Sequence, residues 1–275
     1  MRKPALFMLL ILLWACHAEQ KQARADIEEQ EALLASAKGG GPALDALSQH
    51  YQAYAAAYPE DEAHAPAYLY RAAGLMFRQE AYSECLAPLR QLLQRYPGSS
   101  AAPKALEMAA SVYAVELRDS ATAVFLQACG QKVYGLEAPM AESPEEQLLE
   151  LKGKVFDDSL MQVDFRLADR YIRQAGWYTA ICKDEDDGPG ILFSAAEIAR
   201  SVRAYEKAAA LLQDYAALYP EGPAAAQALF LQAFTLGNDL NRKDTAHALY
   251  QAFLKRYPGH ELAASAAVLL EERER

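Results

Sequence analysis

From Pro42 onward, apolar positions recur three and four residues apart and are interrupted at intervals by proline and glycine. Leu44, Leu47, Tyr51, Tyr54 and Tyr58 share one face of a helix over Ala43 to Tyr58, which Pro59 ends. The same spacing predicts paired helices at Pro66 to Arg78 and Ala81 to Tyr96, then at Ala101 to Glu116 and Ser120 to Tyr134. Further pairs fall at Ile191 to Val202 with Ala204 to Tyr219, and at Pro223 to Leu236 with Thr245 to Tyr257. Glu261 to Glu272 reads as a capping helix, its charged end suited to solvent. Between the pairs, Gly135 to Lys154 holds a connecting helix that starts at Ser143-Pro144-Glu145-Glu146, where Ser143 and Glu146 can exchange hydrogen bonds. Asp157 to Cys182 then reads as a long, bulky helix equivalent to the one before Tyr58. No segment alternates apolar and polar residues as a half-buried strand does.

The chain also contains itself. Residues 61–134 align without a gap on 184–257, so that Asp61-Glu62 falls on Asp184-Glu185, Ala72-Ala73 on Ala195-Ala196, Tyr82 on Tyr205 and Tyr96-Pro97 on Tyr219-Pro220. A shorter beat of 38 residues separates Tyr58-Pro59, Tyr96-Pro97 and Tyr134, and again Tyr219-Pro220 and Tyr257-Pro258. Fixed periods of this length mean stacked helical repeats, each burying its neighbour's apolar face. With 52% hydrophobic residues the chain can bury a continuous core.

The first residues are of another kind. Met1-Arg2-Lys3 is positively charged, Ala5 to Leu13 is apolar but short for a bilayer span, and Leu13-Trp14-Ala15-Cys16 follows. This resembles the signal peptide and lipobox of bacterial lipoproteins, which implies removal of residues 1–15 and lipidation of Cys16. His17 after the cysteine, in place of Asp, favours the outer membrane by the same resemblance. Residues 16–41 are polar, carry only a short helical pattern around Ile27 to Ala37 and stop at Gly39-Gly40-Gly41, so the expectation is a flexible lipidated tether. The organisation expected is thus a leader, this tether, a first repeat block over 42–134, a connector over 135–156 and a second block over 157–275.

Within the blocks, small residues at the helix crossings and a Tyr-Pro closing each second helix resemble the tetratricopeptide repeat. Ala73, Tyr82, Leu89 and Pro97 carry that logic, as do Ala196, Tyr205, Leu212 and Pro220. The longer beat resembles the repeats of envelope lipoproteins such as BamD and the Tol-Pal-associated CpoB, and of tetratricopeptide lipoproteins of Bacteroidetes-like bacteria. The fold implied is all-α, an internally duplicated superhelical solenoid of helix pairs.

Charge narrows the partners. The 27 basic against 37 acidic residues give a net charge of −10, or −12 without Arg2 and Lys3, which disfavours nucleic acid and anionic headgroups. The acidic run Asp184 to Asp187 lacks the order of a calcium loop and aligns on the ordinary pre-helix loop Asp61 to His64. The histidines are scattered, and no nucleophile, phosphate-loop or dinucleotide motif occurs, so neither an enzyme, a metal site nor a cofactor is expected. Cys85, Cys129 and Cys182 read as small buried residues. Tyr68, Tyr70, Tyr113, Tyr178 and Phe193, on or beside first helices where a repeat superhelix is concave, are the candidate partner-binding residues. The function expected is a membrane-tethered scaffold for protein partners, such as an outer-membrane β-barrel or an envelope assembly factor. The alternatives are a cell-division or peptidoglycan-coordinating protein, and a ligand-binding lipoprotein of the SusD type.

Overall fold

The computed structural model describes residues 3–36, 41–137, 142–157 and 162–271, with side chains from Ala18 onward, Asp157 excepted. The chain divides into two compact units, Met1–Ala123 and Val124–Arg275. The first contains α1 (Lys3–Ser36), α2 (Gly41–Ala57), α3 (Ala65–Arg78), α4 (Tyr82–Arg95) and α5 (Ala102–Ser111), which widens into a π-helical turn at Val112–Glu116. Helix α6 (Ser120–Tyr134) begins in this unit and ends in the next. The second continues with α7 (Pro144–Val155), strands β1 (Phe156–Asp157) and β2 (Gln162–Val163), α8 (Phe165–Ile181), α9 (Gly188–Ser201), α10 (Tyr205–Leu218) and α11 (Ala225–Phe234). A π-helical turn at Thr235–Asp239, α12 (Lys243–Arg256) and α13 (Ala263–Glu271) complete it. Among the described residues no helix is long and apolar enough to cross a membrane.

The duplication seen in the sequence is reproduced residue for residue. Each of α3, α4, α5 and the first π turn has bounds matching α9, α10, α11 and the second π turn at the offset that carries Ala65 to Gly188. Backbone geometry repeats too. Among the described residues the non-glycine positions with positive φ are Glu80, Arg118, Arg203 and Asn241, at 63°, 52°, 60° and 54°, each between the first and second helix of a pair. A left-handed residue costs a non-glycine side chain about 1–2 kcal/mol, so hydrogen bonds must hold it. They do: Ala81 N–H reaches the Met76 carbonyl at 3.0 Å and Ala204 N–H reaches Ala199 at 2.8 Å, both closures of the Schellman type. After the π turns the same closure spans one residue more, from Asp119 to Tyr113 and from Arg242 to Leu236.

Alanine sets the spacing within pairs. Ala72, Ala73, Ala105 and Ala109 in the first unit, and Ala195, Ala199, Ala228 and Ala233 in the second, are fully buried, which lets backbones approach while Leu69, Leu89, Leu92 and Leu212 fill the space around them. Ser143 caps α7 as expected, accepting from the Glu146 N–H at 3.2 Å while Glu146 accepts from the Ser143 N–H at 3.0 Å. Two expectations need correction. The helix placed over Asp157 to Cys182 starts only at Phe165, because Phe156 and Asp157 pair antiparallel with Val163 and Gln162, and Asp164 caps α8 by accepting from Arg166 and Leu167 N–H groups.

The second correction concerns the tether. Residues 18–36 continue α1, and Gln20, Ala23, Arg24, Ile27, Glu31 and Leu34 lie at helical spacing on one face, with Ile27 buried against Leu47, Tyr51, Tyr54 and Tyr68. The stripe escapes notice in sequence because most of it is polar. The side chain of Cys16, expected to carry lipid, and residues 37–40 of the glycine joint lie outside the described residues.

The repeated tyrosines before proline do different work in the two copies. Tyr96 donates to the Pro59 carbonyl at 2.8 Å, tying one Tyr-Pro to the previous one. The equivalent Tyr219 hydroxyl is buried over Gly188, where a Cβ would collide with it, and among the described residues it has no hydrogen-bond partner.

Truncating Ile27→Ala should cost about 2–4 kcal/mol if α1 is part of the core, read as a lowered urea midpoint, whereas a loose tether would leave that midpoint unchanged. Tyr96→Phe should lose about 0.5–1.5 kcal/mol, and Tyr219→Phe should be neutral or stabilising because it deletes a buried orphan hydroxyl. Thermal denaturation of the two variants side by side checks the contrast.

Candidate partner-binding site

The polar members of the α1 stripe converge on one network in the first unit. Tyr54 at the end of α2 donates its hydroxyl proton to Asp61 Oδ2 at 2.5 Å, and Gln20 Nε2 lies 2.9 Å from the same oxygen and 3.2 Å from the Tyr54 hydroxyl. His64 Nδ1 stands 3.1 Å from Asp61, while Arg24 Nη1 approaches His64 Nε2 at 3.0 Å. A neutral imidazole with its proton on Nδ1 satisfies both contacts. Higher on α1, Glu31 accepts from the Tyr51 hydroxyl at 2.5 Å and from Arg71 at 2.7 Å. Burial above all, then the neighbouring carboxylates, push the Tyr51 and Tyr54 phenols well up, so they serve as neutral donors. Burial alone would raise Asp61, but the bonds from Tyr54 and His64 outweigh it and hold the carboxyl below its ordinary range.

The second unit builds the same junction from other residues. Tyr178, at the place of Tyr54 on α8, brings its hydroxyl within 2.6 Å of Glu145 on α7 and 2.7 Å of Asp187 before α9. Lys132 on α6 adds ion pairs to Glu145 at 2.6 Å and Glu185 at 2.9 Å. Burial pulls Glu145 up, and the bonds from Lys132 and Tyr178 bring it below its usual value. Two members of the acidic run before α9, Glu185 and Asp187, thus serve this junction, and the histidine expected to stand alone at 64 is paired with Asp61. Among the described residues no group of three or more His, Cys, Asp or Glu is arranged to hold a metal ion.

Beside the first network lies a groove of about 560 Å³ between α1 and α2. Its floor is Ile27, Ala53, Ala57 and Tyr58, and Asp26 and Glu29 stand on its rim. A smaller cavity of about 240 Å³ in the second unit lies among Phe234, Asn238, His247, Tyr250 and Leu269.

Of the residues singled out in the sequence, three turn inward. Tyr68 is buried, stacked on Tyr51 with ring centroids 5.3 Å apart and edge-on to Tyr54 at 4.9 Å. Tyr113 is buried in the first π turn, and Tyr178 is fully buried in the junction just described. They pack because the inward face of a first helix carries the same aromatic spacing as an outward one. Tyr70 is half-buried, and so is Phe193, whose ring meets Tyr215 edge-on at 5.9 Å. The groove residues Ala53 and Ala57 drew no attention because alanine carries no chemistry, and His50 was read only as one of the scattered histidines. The contrast with the second copy appears only when Tyr54 is set on Tyr178, one residue beyond the register of the duplication, as the matching bounds of α2 and α8 require; Ala53 and Ala57 then stand against Trp177 and Ile181. Cys85, Cys129 and Cys182 are buried thiols, and burial raises Cys85 to about 11.

The family model described as Tetratricopeptide repeat matches residues 67–99 and 227–260, one stretch in each unit. These cover α3 with α4 and α11 with α12, so each unit contains a tetratricopeptide helix pair. Among solved structures the chain is similar to the TPR2AB-domain:pHSP90-complex of yeast Sti1, at 12% identity and a TM-score of 0.32, with 93% of this chain and 99% of that one covered. No curated protein matches the chain.

A carboxyl held below its unfolded value stabilises above that value and loses its contribution as pH falls through the folded one. The difference in melting temperature between the parent chain and Asp61→Asn should therefore be constant above about pH 5 and shrink below about pH 4, measured by circular dichroism at stepped pH. A difference that grew on acidification would overturn the assignment of Asp61 as the stabilising anion.

Proposed function

We propose that this chain is a protein-binding scaffold of the bacterial cell envelope, anchored through lipid on Cys16 to the periplasmic side of the outer membrane and accessory to the assembly of outer-membrane proteins. The observation that carries the reading is the repeat architecture itself. Helix pairs spend their aromatic and aliphatic side chains on each other, as Tyr51, Tyr54 and Tyr68 do, and the charged groups close structural networks. What a pre-formed helical surface offers is a groove for an extended or helical segment of a partner. The leader ending at Leu13-Trp14-Ala15-Cys16 supports the location, and anchoring would raise the effective concentration of the scaffold for membrane partners. The role is passive: the scaffold binds and positions, with no bond made or broken.

Crosslinking in the native cells, followed by purification and mass spectrometry, tests this reading against a Cys16→Ser control. The expected result is a β-barrel or assembly factor recovered with the parent chain and lost with the control. Equal, background-level recovery from both would remove the scaffold role at the membrane.

A further inference from the structure

The two copies differ most where α2 and α8 face outward from their own pairs. With Tyr54 set on Tyr178, the buried positions of α2, Leu47, Ser48, Tyr51, Tyr54 and Ala55, fall on Tyr171, Ile172, Ala175, Tyr178 and Thr179, all buried in α8. Yet His50, Ala53, Ala56 and Ala57 are exposed in the first unit, while their equivalents Gln174, Trp177, Ala180 and Ile181 are buried to 4% or less in the second. Helix α8 is thus covered nearly all round, which α2 is not.

The second unit also shows what does the covering. The part of α6 within it meets both α7 and the end of α8: Lys132 pairs with Glu145, and the free, buried Cys129 thiol shares a hydrogen bond with the free thiol of Cys182, the residue equivalent to Tyr58. Helix α6 therefore reaches the start of α7 and the end of α8, where Cys182 stands in the place that Tyr58 takes at the open groove of the first unit. The outer face of α2 leaves Ala53, Ala56 and Ala57 exposed beside His50.

We infer that the α1–α2 groove of the first unit is a docking site for a basic amphipathic helix of a partner protein, seated as α6 is seated beside α7 and α8. This rests on the scaffold reading and gives it a place. The floor of Ile27, Ala53, Ala57 and Tyr58 takes an apolar stripe, and the two alanines leave the room that Trp177 and Ile181 fill in the other copy. The charge of the occupant follows from the rim: the groove is lined by two carboxylates, Asp26 and Glu29, and by no lysine or arginine. A lysine or arginine on the entering helix meets them, and the chain's net charge of −10 acts in the same direction.

The test uses the full chain in its native cells, with a photo-crosslinking amino acid at Ala57 and, as a control, at exposed Arg203 on the α9–α10 turn. Adducts are digested and the partner peptide is sequenced. The expected result is an adduct at position 57 to a lysine- or arginine-bearing amphipathic helix of another protein, reduced about tenfold by Asp26→Lys with Glu29→Lys, which corresponds to about 1.4 kcal/mol. Ala53→Trp, which places in α2 the side chain that α8 already carries, should abolish it. The charge reversals sit on the exposed side of α1 and guard against misfolding of the tryptophan variant, which circular dichroism checks. An adduct to a second copy of this chain, an adduct to an acidic or extended segment, or one indifferent to the charge reversal would each overturn the proposal. Adducts at Arg203 with none at Ala57 would overturn the groove and leave the scaffold reading standing; none at either position would count against both.

Discussion

The close approach of paired helices through alanine is the constraint on which the rest of this structure depends. A methyl group at Ala72, Ala73, Ala195 or Ala199 is as much side chain as those crossings admit. The turns that join the paired helices place Glu80, Arg118, Arg203 and Asn241 in the left-handed region, where backbone bonds hold them. The local cost is borne because each turn fixes the direction of a whole second helix, whose leucines then fill the core. The same turn recurs with little change in angle although its residues are Glu, Arg, Arg and Asn. Geometry has been kept across the duplication where side-chain identity has not.

Much of this was legible in the sequence because repetition supplies its own control. One copy checks the other, and bounds read from apolar spacing in the first pair are confirmed by equivalent residues in the second. The connecting segments lacked that control. The antiparallel pairing of Phe156-Asp157 with Gln162-Val163 is only two residues long on each side, too short to leave an alternating pattern. Helix α1 was read only as a short pattern around Ile27 to Ala37, and its docking was missed for another reason: Gln20, Arg24 and Glu31 are polar, and a polar stripe reads as solvent-facing until the tyrosine hydroxyls and carboxylates that meet it are known.

The tyrosines illustrate what spacing leaves open. Tyr68 and Tyr70 are two residues apart on one helix, so they point to different sides, and the first is core while the second is half exposed. Nothing in their chemistry separates them. The informative positions were instead the small ones. Where one copy has Trp177 and Ile181 and the other has Ala53 and Ala57, the scaffold is shared and the surface is not, which is how a duplicated array acquires different faces.

The docking of α1 also sets a length. Gln20 is bonded to Tyr54 and Asp61, and only three residues separate it from Cys16. Fully extended, that interval reaches about 14 Å, and as helix about 6 Å. Attachment through the cysteine, as proposed, would keep the first unit on a very short leash, able to pivot at that point but not to wander from it.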